Sequence, residues 1–115
     1  MSTQQDIRVI NDRIDALFKR APHTRYWLTA VHNGYDHEFS FFFWQQRRGE
    51  RQKSLPLHSL QTEDIDVFAA VIAGIRAHTN LSIDYFGFTK ERWPATGELI
   101  QKRQRDIETN VGLPF

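Results

Sequence analysis

The chain has 115 residues, 40% apolar and 25% charged, with 15 Lys and Arg against 14 Asp and Glu for a formal net charge of +1. That length suits one folded domain burying roughly two-thirds of its unfolded surface, and the near-neutral balance argues against a bulk electrostatic attraction to nucleic acid. With no cysteine, disulfides, thiolate metal sites and a cysteine nucleophile are excluded.

The first segment, from about Thr3 to Arg20, reads as an amphipathic helix. Ile7, Ile10, Ile14, Leu17 and Phe18 recur at three- and four-residue steps and form one stripe. Thr3 with Asp6 three residues on gives a start signal, and Pro22 ends the helix by steering residue 21 out of the helical region. The opening MSTQQDIRV has no basic start followed by an apolar run, and no stretch approaches the ~18 apolar residues of a membrane span. The expectation is a cytoplasmic protein.

Thr24 to His32 is β-branched and aromatic and is expected to be a strand, with Tyr26, Leu28, Ala30 and His32 on one side and Trp27, Thr29 and Val31 on the other. Asn33-Gly34 is a tight-turn signal, because both residues tolerate positive φ. A second strand then returns from about Asp36 to Gln46, so the two form a hairpin. Within it, EFSFFFWQQ (Glu38 to Gln46) organises the whole reading. Alternation puts Phe39, Phe41 and Phe43 on one face and Ser40, Phe42 and Trp44 on the other. A half-buried strand keeps one face polar, and this one does not. It is either covered on both sides or meets a partner molecule with its second face.

After Gln46 the chain turns basic, with Arg47, Arg48, Arg51 and Lys53 around one Glu50, and Gly49 marks a turn. From about Arg51 to Leu57 a third strand with Pro56 near its edge competes evenly with an irregular loop. Thr62 to His78 reads as the second helix. Thr62 is its expected N-cap, Glu63, Asp64 and Asp66 sit in its first turn, and Arg76 and His78 lie at its other end. DVFAAVIAGI is apolar nearly all round, so this helix is expected to be well buried, with its Ala and Gly74 allowing close approach. Leu81 to Phe88 returns to strand character, with Gly87 marking a bulge or the approach of another backbone. Thr96 or a neighbour caps an expected final helix to about Thr109, with a thin stripe of Leu99, Ile100 and Ile107 and the basic Lys102, Arg103 and Arg105.

Segregated runs in the order α-β-β-(β)-α-β-α point to a single α+β domain over residues 1–115. A mostly antiparallel sheet of three to four strands is expected, with helices mainly on one face.

The densest polar cluster is His32, Asp36, His37 and Glu38 around the hairpin turn. Two imidazoles and two carboxylates can bind a divalent ion or exchange protons. Their spacing fits no metal-ligand pattern, and turns attract Asp and Asn for backbone reasons. His58 and His78 stand apart, each beside a predicted helix end. No Gly-x-Ser-x-Gly setting or glycine-rich phosphate loop occurs. No catalytic residue, metal or cofactor is therefore assigned.

The expected function is that of a small non-enzymatic binding protein, of the inhibitor, immunity or accessory-factor kind. It would occlude a site on a protein partner, or self-associate, through an aromatic-arginine surface. The residues expected to carry this are Phe42, Trp44, Arg47, Arg48, Arg51 and Lys53. One alternative is a nucleic-acid-binding accessory protein that sets the basic 47–53 segment against phosphates, with Trp44 stacking on a base. The other is an enzyme built on an unrecognised His/Asp site.

Overall fold

A computed structural model describes residues 2–101, which form an α+β unit of two helices and one four-stranded mixed sheet. The elements are α1 (Thr3–Leu17), β1 (Thr24–Asn33), β2 (Glu38–Arg47), β3 (Lys53–Leu60), α2 (Ile65–His78) and β4 (Ile83–Phe86). The sheet order is β3-β2-β1-β4. Two of its three pairings are antiparallel, and β4 runs parallel to β1. The parallel pair follows from connectivity: α2 carries the chain back from β3 at one edge, so β4 starts in the direction of β1.

The α1 stripe is as expected, with Ile10 and Ile14 fully buried, but the cap lies one residue earlier than Thr3. Ser2 Oγ accepts from Gln5 N–H, and Gln5 Oε1 accepts from Ser2 N–H, a reciprocal capping box. The helix stops at Leu17, not Arg20, with Phe18 in extended conformation as its C-cap. Phe18 then turns its ring onto Tyr26, 4.9 Å between centroids.

The β1–β2 hairpin runs in register from Thr24↔Arg47 to Asn33↔Glu38. Its turn spans 34–37 and is not the two-residue type. The positive φ falls on His37 (57°) and not on Asn33 or Gly34. Asn33 is used otherwise: its Oδ1 accepts from Asp36 N–H and its Nδ2–H donates to Asp36 Oδ2. That Asx-type closure replaces the tighter turn.

β3 is a true edge strand, later than expected at Lys53–Leu60, and Pro56 sits at a register shift opposite Phe41 and Phe42. An edge bulge is where a missing N–H costs least. The extra residue, Leu57, turns inward and is 1% exposed.

Asp64, not Thr62, caps α2: its Oδ1 accepts from Asp66 N–H, and Thr62 Oγ1 accepts from Asp64 N–H one step before. Glu63 thereby falls outside the helix. The expectation that α2 is buried nearly all round does not hold. Phe68, Val71, Ile72 and Ile75 are buried, while Ala70, Ala73 and Ala77 are exposed. Alanine is helix-forming but contributes little apolar area, so a run rich in it does not require burial on every side. Gly74 does allow close approach. A Cβ there would lie 2.7 Å from Cγ2 of Ile7 on α1.

The final helix is not seen over its described part. From Glu91 to Gln101 the chain makes a tight loop instead, with an Arg92↔Leu99 bridge and Gly97 at φ +75°. Thr96 Oγ1 accepts from Glu98 N–H inside this loop and caps no helix. Residues 102–109 of that expectation lie outside the described residues.

Both helices pack on the Phe39–Phe41–Phe43 face. Those rings join Ile10, Ile14, Phe68, Val71, Ile75 and Phe88 in one cluster. Tyr85 and Trp93 close its edge against Phe68.

Candidate functional site

Strand parity divides the expected site residues between two surfaces. Trp27, Thr29 and Val31 of β1 and Ser40, Phe42 and Trp44 of β2 point away from the helices. Trp27 pairs with Trp44 and Thr29 with Phe42 across the strands. Trp27 and Trp44 lie nearly parallel, 5.8 Å between centroids and 11° between planes. Trp44 Nε1–H donates to Thr29 Oγ1 at 2.9 Å, which satisfies both groups on the sheet surface. The Arg25 guanidinium lies over the Trp27 ring at 5.0 Å. On the neighbouring strand, partial desolvation raises the Asp84 pKa, and the Arg25 charge opposes it. Trp27 is 7% exposed, whereas Phe42 and Trp44 are half-buried. These rings therefore sit outside the helical core and are shielded in part by one another.

The basic residues are elsewhere. Arg47 has the parity of Phe43 and Gln45, on the helical side of the sheet, where β2 runs past the end of α1. Arg47, Arg51 and Lys53 line a cavity of about 180 Å3 with Tyr26, Gln45 and Glu50. Arg48 is exposed in the turn, with its N–H bonded to the His23 carbonyl. The expected continuous aromatic-arginine surface is thus resolved into an aromatic sheet face with Arg25, and a separate basic cavity around the corner.

The polar hairpin cluster also separates. Asp36 is held by Asn33, and Glu38 Oε2 accepts from Gln61 Nε2–H. His32 and His37 converge instead on Glu63, the residue left outside α2. His32 Nε2 is 2.9 Å from Glu63 Oε1, and His37 Nδ1 is 2.8 Å from Glu63 Oε2. The second ring nitrogen of His32, Nδ1, lies 2.8 Å from Glu91 Oε1. With a carboxylate at each nitrogen, the protonated ring can donate from both, and this geometry favours an imidazolium between two ionised glutamates. Burial lowers the His32 pKa, but the hydrogen bonds and charges of Glu63 and Glu91 outweigh it and leave it raised. Hydrogen bonds from His37 and then His32 lower the pKa of Glu63. A histidine engaged at both nitrogens has no free lone pair for base catalysis. Its ring also packs on Phe39 and Phe88, 4.7 and 5.7 Å away. It works as a tie between β1, the α2 entry and the loop after β4. Among the described residues, no group of three or more His, Cys, Asp or Glu is placed to hold a metal ion.

A histidine–aspartate pair beside a cavity does exist, between α1 and β3. His58 Nε2 lies 2.7 Å from Asp6 Oδ1, both largely buried, and both line a cavity of about 490 Å3 with Thr3, Gln61 and Thr62. Its trace in the sequence is that Asp6 precedes Ile10 and Ile14 by four and eight residues, so it sits on the apolar stripe and needs a buried partner. Nothing in the sequence alone shows that His58 is that partner. The adjacent Ser59 hydroxyl is engaged with Ser40 at 3.3 Å, so the pair has no serine nucleophile beside it.

No known protein family, curated protein or solved structure matches the chain. Among the described residues no helix is long and apolar enough to cross a membrane.

Proposed function

We propose that this is a small binding protein that covers a site on a protein partner with the open face of its sheet. The observation that carries this reading is the placement of Trp27, Phe42 and Trp44 on the face opposite both helices, two of them half-buried only. A soluble sheet with helices on one side keeps its other side polar, so three large rings there call for a reason other than folding. Tryptophan beside arginine is also the composition in which interface energy concentrates, and Arg25 stands over Trp27. In this reading the protein acts by occlusion and performs no chemistry.

The test is capture from the native host, with nuclease present, followed by titration of the purified partner against Phe42→Ser and Trp44→Ala. Truncating a central anchor should cost about 2 kcal/mol or more, roughly 30-fold in Kd. Capture that is unchanged in both variants removes the proposal. A concentration-dependent dimer of the purified chain, abolished by Phe42→Ser, reassigns the face to self-association and equally removes a foreign partner.

A further inference from the structure

The cavity at the end of the hairpin is a separate matter from the aromatic face. It lies on the other side of the sheet, under Tyr26, where the 21–24 connector, β2 and the 48–52 turn meet. Three cations, Arg47, Arg51 and Lys53, share its walls with a single carboxylate, Glu50. None of the three cations makes an ion pair with a described carboxylate. His32, His37, His58 and His78 take up Glu63, Glu91, Asp6 and Asp15 instead. The cavity is therefore left with an excess of about two positive charges in a volume near 180 Å3.

Its walls are also held in place. Gly49 adopts φ +82° to form the turn, and Glu50 N–H closes it on the Arg47 carbonyl at 2.9 Å. Arg48 N–H pins it to the His23 carbonyl at 2.8 Å, and Gln46 Nε2–H to the Glu50 carbonyl at 3.1 Å. Tyr26 O–H donates to the Lys19 carbonyl at 2.6 Å, which fixes the floor. The Gln45 amide, in the same wall, makes no hydrogen bond to a described residue and is a further donor. Like charges placed on a pinned turn repel unless an anion joins them, so the arrangement is costly alone and favourable when occupied.

We infer that Arg47, Arg51 and Lys53 form a binding site for a terminal phosphate group, a phosphomonoester. The charge argument selects the monoester. A monoester carries close to two negative charges at neutral pH, matching the excess, whereas a backbone diester carries one. Guanidinium forks fit tetrahedral oxyanions in two-point contacts, and the ammonium supplies a point charge beside them. Trp44 cannot stack on a base of the same nucleotide, because it lies across the sheet. The group bound is thus defined by its phosphate, and its carrier is either a small phosphorylated metabolite or the 5′ end of a nucleic acid.

The experiment uses the full chain, with amide and guanidinium NMR shifts and calorimetry during titration. The probes are inorganic phosphate, phenyl phosphate, and one short oligothymidylate with and without a 5′-phosphate. Saturable shifts at residues 45–53 are expected with phosphate and phenyl phosphate. Arg47→Gln and Arg51→Gln should each weaken binding about tenfold or more, Lys53→Gln less, and Arg48→Gln little. All four side chains are exposed, so folding is expected to persist, checked by unchanged far-UV circular dichroism. Tighter binding of the 5′-phosphorylated oligonucleotide supports the site and identifies a nucleic-acid end as carrier. Phenyl phosphate binding without either oligonucleotide supports it with a small-molecule carrier. Equal binding of the two oligonucleotides, or no saturable phosphate binding, overturns the inference. Because Phe42 and Trp44 play no part here, either outcome leaves the protein-partner proposal to its own test.

Discussion

The two faces of the sheet carry similar amounts of ring and hold it in different ways. On the helical face Phe39, Phe41 and Phe43 are at most 3% exposed, and their neighbours are other rings and aliphatic side chains of α1 and α2. On the open face Trp27 and Trp44 shield each other by stacking. The buried polar residue among the described ones, Thr29, lies beside them and accepts a hydrogen bond from Trp44 Nε1–H. The Ser40–Ser59 hydroxyl pair and Arg25 complete that surface. The face closed by helices is lined almost entirely by apolar side chains, where a polar atom without a partner is costly. A face closed by stacked indoles and hydroxyls keeps polar groups at hand, as a surface that must exchange water for a partner does.

The contrast is broken most strongly by truncating a ring on each side. Phe68→Ala, in the middle of the covered core and 0% exposed, should destabilise by about 3–5 kcal/mol in urea unfolding. Phe42→Ala should cost less, about 1 kcal/mol, because part of that residue already meets water. Equal losses would mean that the open face is as closed as the core, and the partner proposal would lose its footing. Next in size are the backbone approaches that hold the faces at their distances. Gly87 has φ +82°, and a Cβ there would lie 2.4 Å from the His32 carbonyl oxygen. Gly87→Ala should therefore cost about 2–3 kcal/mol, since backbone must move and the φ is unfavourable to alanine. Gly74→Leu, meeting the side chain of Ile7 and no backbone among its nearest atoms, should cost about 1–3 kcal/mol. Trp44→Phe is the finer cut on the open face. It keeps most of the stacked area and orphans the Thr29 hydroxyl, for about 1 kcal/mol in the same assay.

Much of this contrast was legible in the sequence, because side-chain parity is a local property. The run Phe39 to Trp44 alternates as a strand must, and the stripe Ile7, Ile10, Ile14 can form only on a helix. The hairpin and the close approach at Gly87 are readable for similar local reasons, whereas the segment around Pro56 reads equally as strand or loop and only the pairing of β3 with β2 settles it. What was not legible depends on residues meeting across the fold. Thr62 and Asp64 are equally good caps by composition, and the structure uses Asp64, with Glu63 outside the helix against two histidines. Arg47 and Trp44 are only three residues apart, which suggests one surface, yet odd spacing in a strand sends them to opposite faces. That separation could have been read from the sequence. The pairings His58–Asp6 and His78–Asp15 span more than fifty residues and leave no periodic trace.

The smallest expected effect concerns the end of the hairpin on the helical face, where His32 ties β1 to Glu63 and Glu91. The groups facing it are those two carboxylates and, through Glu63, the exposed His37, while Phe39 and Phe88 close the apolar side. The raised pKa of His32 means that its contribution is complete below the unfolded value of about 6.5 and is lost as pH rises through the folded value. Glu63, with a lowered pKa, contributes above its unfolded value of about 4.5 and ceases to as pH falls through the folded one. The tie is therefore strongest between about pH 4.5 and 6.5 and weakens toward pH 8. Because Glu63 is open to solvent, the change is small and salt-sensitive. In thermal melts at low ionic strength, Tm of the unaltered chain should lose more between pH 6 and 8 than Tm of His32→Gln, which keeps hydrogen bonds but cannot titrate. A parallel pH profile in the two proteins would show that His32 is not held as an imidazolium. The tie would then rest on neutral hydrogen bonds, and β1 would be held to the α2 entry and the loop after β4 equally at any pH.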